Sequence, residues 1–484
     1  MLFRMIYDDK LAQAAYLIGC QRSGEAIVVD PQRDVDRYLH AAAAEKLRII
    51  AVAETHIHAD YLSGVRELAE KTGAKVYVSD EGDADWKYQW LNKKSTGESY
   101  NHQLLRDGDT FRVGNIEFKV VHTPGHTPEH ISFLVTDRGG GASEPMGAIT
   151  GDFVFVGDLG RPDLLETAAG VAGVKESSAR TLFHSAQQFL KWPDYMQVWP
   201  AHGAGSACGK ALGAVPQSTV GYEKRFNPML QLASDEHAFV QSILEGQPEP
   251  PLYFARMKRL NKQGPPLLGS LPKPRELNAD ELKRIDAKKQ AVLDTRPWAK
   301  FKAGHIPGAL HVPLNNQFPT LAGSFIEEDE QAVLICEPTQ VEDAVRCLVR
   351  IGLDDVAAFA TPATLDSAAA QGLKLATTRE IDAATFRKEM KQPGAAVLDV
   401  RRASEYEAGH VPGSVNFAHT RLRSHLDEVP PGQPLLVHCQ GGSRSAFASA
   451  LLERHGFTPT NVAGGFGAYE KSGGEVVRED AAVR

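Results

Sequence analysis

Cysteine is scarce in this chain. There are five in 484 residues, at Cys20, Cys208, Cys336, Cys347 and Cys439, widely spaced and with no CxxC pair. That argues against a disulfide framework and for a reducing, cytoplasmic setting, in which a cysteine held in a special loop is reactive rather than bridged. No block of like charges occurs and the net charge is −8, so there is no basic patch to attract phosphate, and nucleic acid is not an expected partner. No apolar run approaches the ~20 residues needed to span a bilayer. Met1 to Cys20 is broken by Asp8, Asp9, Lys10 and Gln13, and lacks the apolar stretch of a signal peptide. The expectation is a cytoplasmic protein with no membrane partner that assembles as a homo-oligomer.

What is present is ordinary in composition, with 24% charged and 42% hydrophobic residues, and long enough for about three domains. Up to residue 246, short β-branched runs alternate with loops rich in His, Asp and Gly. Strands are predicted at Ala26–Val29, Ile49–Ala53, Lys75–Val78, Ile116–Val121, Ile131–Val135 and Gln197–Trp199. Apolar spacing predicts helices over Arg33–Glu45, Ser63–Thr72 and Ser178–Leu190. Residues 247–275 are rich in proline and glycine, as in a linker or a strap lying on a domain surface. Beyond it the chain repeats itself. Val292-Leu293-Asp294-Thr295-Arg296 returns as Val397-Leu398-Asp399-Val400-Arg401, and Ala303-Gly304-His305-Ile306-Pro307-Gly308 as Ala408-Gly409-His410-Val411-Pro412-Gly413, both at an offset of 105 (292 to 397, 303 to 408). Two tandem domains of one fold follow, 276–376 and 377–484, with strands and helices alternating as in a parallel α/β sheet.

Thr55-His56-Ile57-His58-Ala59-Asp60-Tyr61 comes just after the apolar run Ile49–Ala53. In extended chain, residues i and i+2 project to the same side, so both imidazoles can face one ion. His126, in Gly125-His126-Thr127, Asp152, in Thr150-Gly151-Asp152, and His202, in Ala201-His202-Gly203, each follow a strand as well. Polar side chains gathered at the ends of adjacent strands build a metal site on a rigid edge. His122 and His184 read instead as ordinary satisfied histidines.

These residues resemble the metallo-β-lactamase superfamily, with its T-H-x-H-x-D-H, G-H-[ST], G-D and late His. The resemblance covers the chain to about residue 245 and implies an αββα sandwich with the site at one edge. The chain departs at Tyr61, where two-metal members have His, and this favours one ion. Within the superfamily it is most similar to the persulfide dioxygenases, through Pro124-Gly125-His126-Thr127-Pro128 and Gly160-Arg161-Pro162-Asp163. That resemblance implies one Fe(II) on His56, His126 and Asp152, with His58, Asp60, Tyr61 and His202 orienting ligands or water. It also implies a persulfide of glutathione or another small thiol and O2 as substrates. The alternative is a zinc hydrolase of glutathione thioesters like glyoxalase II. Arg161 and Arg180 are candidates for the thiol's carboxylate, with Lys224 and Arg225 weaker ones. Cys208, six residues after His202 in a Gly-rich loop, is a candidate sulfur carrier.

Cys439-Gln440-Gly441-Gly442-Ser443-Arg444 lies between a predicted strand, Leu435–His438, and a predicted helix, Ser445–His455. Gly441 and Gly442 let backbone N–H groups turn inward toward negative charge, the helix N-terminus adds its dipole, and Arg444 adds a formal charge. Such a nest stabilises a thiolate or a persulfide anion. The spacing is C-x4-R, shorter than the C-x5-R of phosphatases, and with Gly409-His410-Val411-Pro412-Gly413 it resembles the rhodaneses over 377–484. That implies sulfur transfer through Cys439, with Arg444 and the loop Gln440 to Ser443 placing thiosulfate or sulfite. The middle repeat has Cys336 near the equivalent place but lacks the glycines and the arginine, and Glu337, Glu342 and Asp343 would raise its thiol pKa. It reads as an inactive copy.

Overall fold

The computed structural model describes residues 1–167, 173–431 and 433–478. The chain divides into two compact units. The first holds Met1–Ser270 with Val349–Gly352, the second Leu271–Leu348 with Leu353–Arg484.

Two six-stranded sheets build the first unit. One runs in order β1 (Leu2–Asp8), β2 (Gln13–Cys20), β3 (Glu25–Val29), β4 (Arg48–Ala53), β5 (Lys75–Ser79), β6 (His102–Leu105). The other comprises β7 (Thr110–Val113), β8 (Ile116–His122), β9 (Ile131–Asp137), β10 (Gly147–Gly151), β11 (Gln197–Pro200) and β12 (Ser218–Thr219), neighbours in sequence order. Three apolar layers show how they stack. Tyr16, Ile18 and Ile27 of the first sheet share a core with Phe118, Phe133 and Ile149 of the second. Val28, Val52 and Val76 face Tyr38 and Leu68 on the helices Asp36–Ala44 and Val65–Thr72. Ala148 and Val198 face Leu182 and Phe239 on the helices Lys175–Phe189 and Glu236–Leu244. The result is a helix–sheet–sheet–helix sandwich.

The six predicted strands lie at β3, β4, β5, β8, β9 and β11, and the three predicted helices form with ends shifted by up to three residues. The segment 247–275 does more than link. It carries the helix Phe254–Gln263, which buries Phe254, Met257 and Asn261. Gly264 then follows at φ +104, where a Cβ would come within 2.5 Å of the Trp90 Cβ. Glu67 receives the amides of Leu268 and Gly269 at 2.8 and 3.0 Å. The segment is a strap fastened to the first unit.

The second unit contains two five-stranded parallel sheets. Their orders are β13 (Arg275–Glu276), β17 (Val356–Ala360), β16 (Ala332–Ile335), β14 (Ala291–Asp294), β15 (Leu310–His311), and β18 (Arg379–Ile381), β22 (Pro459–Val462), β21 (Leu435–His438), β19 (Ala396–Asp399), β20 (Val415–Asn416). The second order is the first shifted by five strands, so the sequence repeat is a repeat of topology. Its matched motifs are structural. Arg401 clasps Asp399 and donates to the Gly409 carbonyl at 2.8 Å, and Arg296 does the same with Asp294 and Gly304 at 2.8 Å.

Candidate metal centre and thiol loop

The metal-ligand motifs converge because each begins where a strand of the sandwich ends. Asp30 follows β3, His56 follows β4, His126 follows β8, Asp152 ends the β10 turn and His202 follows β11. All five are buried. Ligand-capable atoms of His56, His126 and Asp152 lie within 4.8 Å of one another.

Hydrogen bonds fix which nitrogens face inward. Thr55 Oγ1 donates to Asp30 at 2.9 Å, so it accepts from His56 Nδ1 at 3.0 Å. His126 Nδ1 donates to the Arg161 carbonyl at 2.9 Å, and His202 Nδ1 to the Ala12 carbonyl at 3.0 Å. Each ring turns its Nε2 toward Asp152, at 3.9 Å from His56, 3.5 Å from His126 and 3.5 Å from His202. Neither Asp152 oxygen has a hydrogen-bond partner among the described residues. Buried ring nitrogens and a carboxylate that face one another without hydrogen bonds between them are the donor set of a divalent metal, which these residues fit.

Electrostatics agree. Burial, then the neighbouring imidazoles of His58 and His126, push the His56 pKa well below the usual histidine range. Burial also lowers His126. Burial works against charge on Asp152, but the facing histidines hold its carboxyl below the usual range. Burial thus drives His56 and His126 toward the neutral form while Asp152 is held toward the carboxylate, the states in which each can ligate a metal.

His58 belongs to a different network. Its Nε2 donates to Asp30 at 3.2 Å, and although burial opposes charge, Asp30 takes its pKa up to about 9. Tyr61 lies against the His58 ring, and its hydroxyl donates to the Asp30 carbonyl at 3.2 Å while accepting from Gln13. The Tyr61 phenol is thus tied to Asp30. Asp60 pairs with His202 at 3.4 Å, and Asp60, His202 and Cys208 form a second group with donor atoms within 4.8 Å. Burial, Asp60 and Asp152 hold the Cys208 thiol protonated. The Gly-rich loop therefore does bring Cys208 to the site.

The predicted arginines are engaged elsewhere. Arg161 is buried, clasps Asp163 at 2.8 and 2.6 Å and donates to the Ala207 carbonyl, tying the Cys208 loop to the Asp152 segment. Arg180 is exposed and pairs with Glu176 and Glu236. Lys224 pairs with Asp194.

Four residues of the site escaped sequence reasoning. Asp30 sits at φ +53, a strained setting for a non-glycine residue, and serves both Thr55 and His58. His130 accepts from the Asp152 amide at 3.0 Å. Glu129 accepts from the Ile57 amide at 2.8 Å. Asn261 binds the metal-motif loop from 203 residues away. No motif flags any of them.

In the second unit, Cys439 is buried at the end of β21, and Gly442 N donates to its Sγ at 3.1 Å. Gly442, at φ +98, opens the helix Ser443–Arg454. Gly441 faces open space, Gln440 is exposed and receives Arg401 at 3.4 Å, and Ser443 begins the helix. Arg444 makes a two-pronged pair with Glu405 at 2.6 and 2.7 Å. Gly465, unforeseen, packs so closely that a Cβ would lie 2.0 Å from the Cys439 carbonyl oxygen. A cavity of about 590 Å³ beside Gly441 and Ser443 is walled on its other side by Trp298, His311 and Gln317 of the middle repeat. Cys336 has no comparable nest, and burial and Glu337 push its thiol up to about 12.

The family model described as the metallo-beta-lactamase superfamily matches residues 8–202, and that of the rhodanese-like domain matches 278–360 and 382–472. A solved metallo-beta-lactamase structure from Staphylococcus aureus is 40% identical, with a TM-score of 0.67, covering 75% of this chain and 99% of that one. A beta-lactamase hydrolase-like protein of Xylella fastidiosa is 28% identical over 253 residues, 48% of this chain and 53% of that protein. This chain thus spans about half the length of that relative. The mitochondrial persulfide dioxygenase ETHE1 of Bos taurus is 26% identical over 253 residues, 50% of this chain and 82% of that protein. Among the described residues no helix is long and apolar enough to cross a membrane.

Proposed function

We propose, on the premise that this chain belongs to the metallo-beta-lactamase superfamily and continues into rhodanese-like domains, that it is a persulfide dioxygenase joined to a sulfurtransferase. The observation that carries the first half is the two-histidine, one-carboxylate face of His56, His126 and Asp152, with Tyr61 bonded away from it. A single Fe(II) held there supplies activation of O2 and open positions beside the ligands. The net reaction is R–S–SH + O2 + H2O giving R–SH and sulfurous acid, ionised at neutral pH. His56, His126 and Asp152 hold the ion, Asp30 and Thr55 lock the His56 ring, and Asp60 and His202 face the same space. Likeness to a persulfide dioxygenase over the first half of the chain supports the reading.

At the other site, Cys439 carries the sulfane sulfur. Cys439–S–S⁻ plus sulfite gives Cys439–S⁻ plus thiosulfate, and the reverse step uses the same contacts. The Gly442 amide stabilises the anion, and Arg444 lies beside it, held by Glu405.

A second reading has one observation in its favour. Asp60, His202 and Cys208 form a group that suits a second ion, as in a two-zinc thioester hydrolase. Metal analysis of anaerobically purified protein separates the two. One iron per chain supports the dioxygenase, and two zincs with thioester hydrolysis overturn it.

A further inference from the structure

The strap helix Phe254–Gln263 has two working faces. Its buried face carries Asn261, which donates to the carbonyls of His58 at 2.8 Å and Tyr61 at 2.7 Å. Its other face presents Lys258, Arg259 and Lys262 to a groove of about 640 Å³, whose facing walls include Trp86, Pro128 and Thr181. Pro128 belongs to the turn that carries His126, so the groove abuts the metal loops.

Lys258 is the unusual group. Its ammonium lies 3.8 Å from the centroid of the Trp86 ring and makes no hydrogen bond or ion pair among the described residues. Burial pushes its pKa below the usual lysine range, and Glu129 is the carboxylate that acts on it through space. A half-buried ammonium that faces an open groove and carries no oxygen acceptor among the described residues offers an anion a charge-assisted contact. The acids on the groove are Asp83 and Asp85, and Asp85 only reaches Lys262, at 3.7 Å with its carboxylate in water. Arg161 and Arg180, by contrast, already have carboxylate partners.

We propose that this groove binds the anionic tail of the thiol that delivers the persulfide, with Lys258 as its central contact and Arg259 and Lys262 at its rim. The inference rests on the persulfide reading of the metal site. The shared chemistry is an oxyanion, from the carboxylates of a peptide thiol or the phosphates of a nucleotide thiol. Placed here, the tail would lie on the same helix that fastens the His58–Ser63 loop.

Titration calorimetry on the full chain tests it, using S-methylglutathione and S-methyl coenzyme A, with 2-(methylthio)ethanol as a neutral control. The expected result is that at least one anionic probe binds and that Lys258→Met weakens it about tenfold, the worth of one charge-assisted contact. Lys258→Arg should restore most of the affinity, which excludes a folding defect. Binding of glutathione alone assigns the carboxylate source, and of coenzyme A alone the phosphate source. Binding of neither, equal binding of the neutral control, or affinity unchanged in Lys258→Met overturns the proposal. Calorimetry needs no turnover. Tail binding without persulfide-dependent O2 uptake would therefore sink the dioxygenase reading and leave the groove standing.

Discussion

The side-chain amide of Asn261 donates to the carbonyl of His58 at 2.8 Å, joining the strap to the metal motif across 203 positions of sequence. The same amide serves the Tyr61 carbonyl, and its oxygen accepts from Ser63 N at 2.9 Å. Asn261→Leu would strand three buried backbone groups at a cost of about 2–5 kcal/mol. The expected outcome is a lower melting temperature and loss of bound metal at a given chelator concentration. Unchanged melting and metal retention would contradict this role.

Gly465 stands at φ +53 against the Cys439 carbonyl. Gly465→Ala forces a side chain into a left-handed conformation, costing about 1–3 kcal/mol, and into a backbone oxygen. Thiosulfate sulfurtransfer should fall about fivefold or more by the same reckoning, since the thiol loop must shift. Steady-state sulfurtransferase assays measure it.

Cys439→Ser should abolish sulfur transfer, because only the thiol can carry the sulfane sulfur. Persulfide-dependent O2 uptake should persist in the same variant. Surviving transfer would mean another cysteine is the carrier.

Cys336 gives a pH prediction. Burial, then Glu337 and Asp294, raise its pKa to about 12 from 9.0. The native protein thus holds the thiol proton more tightly than the unfolded chain. The resulting contribution to stability is complete below pH 9 and lost as pH rises through about 12. In the folded protein at pH 8, iodoacetamide should leave Cys336 unmodified, as peptide mass mapping would reveal. After unfolding it should react.

Much of this was readable beforehand, for a physical reason. His56, His126, Asp152 and His202 sit at strand ends, where ligands cluster in short local motifs, and Cys439 to Arg444 carries its anion nest within six residues. The repeat was legible because Asp399 and Arg401 must meet Gly409, which fixes residue types at a fixed spacing. What stayed hidden depends on distant contacts. Asp30 is one more aspartate after a strand until Thr55 and His58 fold onto it. Glu405 is an ordinary helix residue until Arg444 reaches it. The hairpin of β1 and β2 gave no period because β2 is buried along its whole length. The segment 247–275 reads either as a linker or as a surface strap because its prolines obscure the ten-residue helix that carries Asn261 and Lys258.

The central claim is that the His56, His126 and Asp152 face oxidises a persulfide. The most direct measurement is O2 consumption by anaerobically prepared, iron-reconstituted protein offered a panel of small-molecule persulfides. The account predicts one O2 consumed and one sulfite formed per persulfide, with Asp152→Ala reducing uptake to background. No O2 uptake with any persulfide, alongside hydrolysis of a glutathione thioester by the zinc-loaded protein, would contradict it.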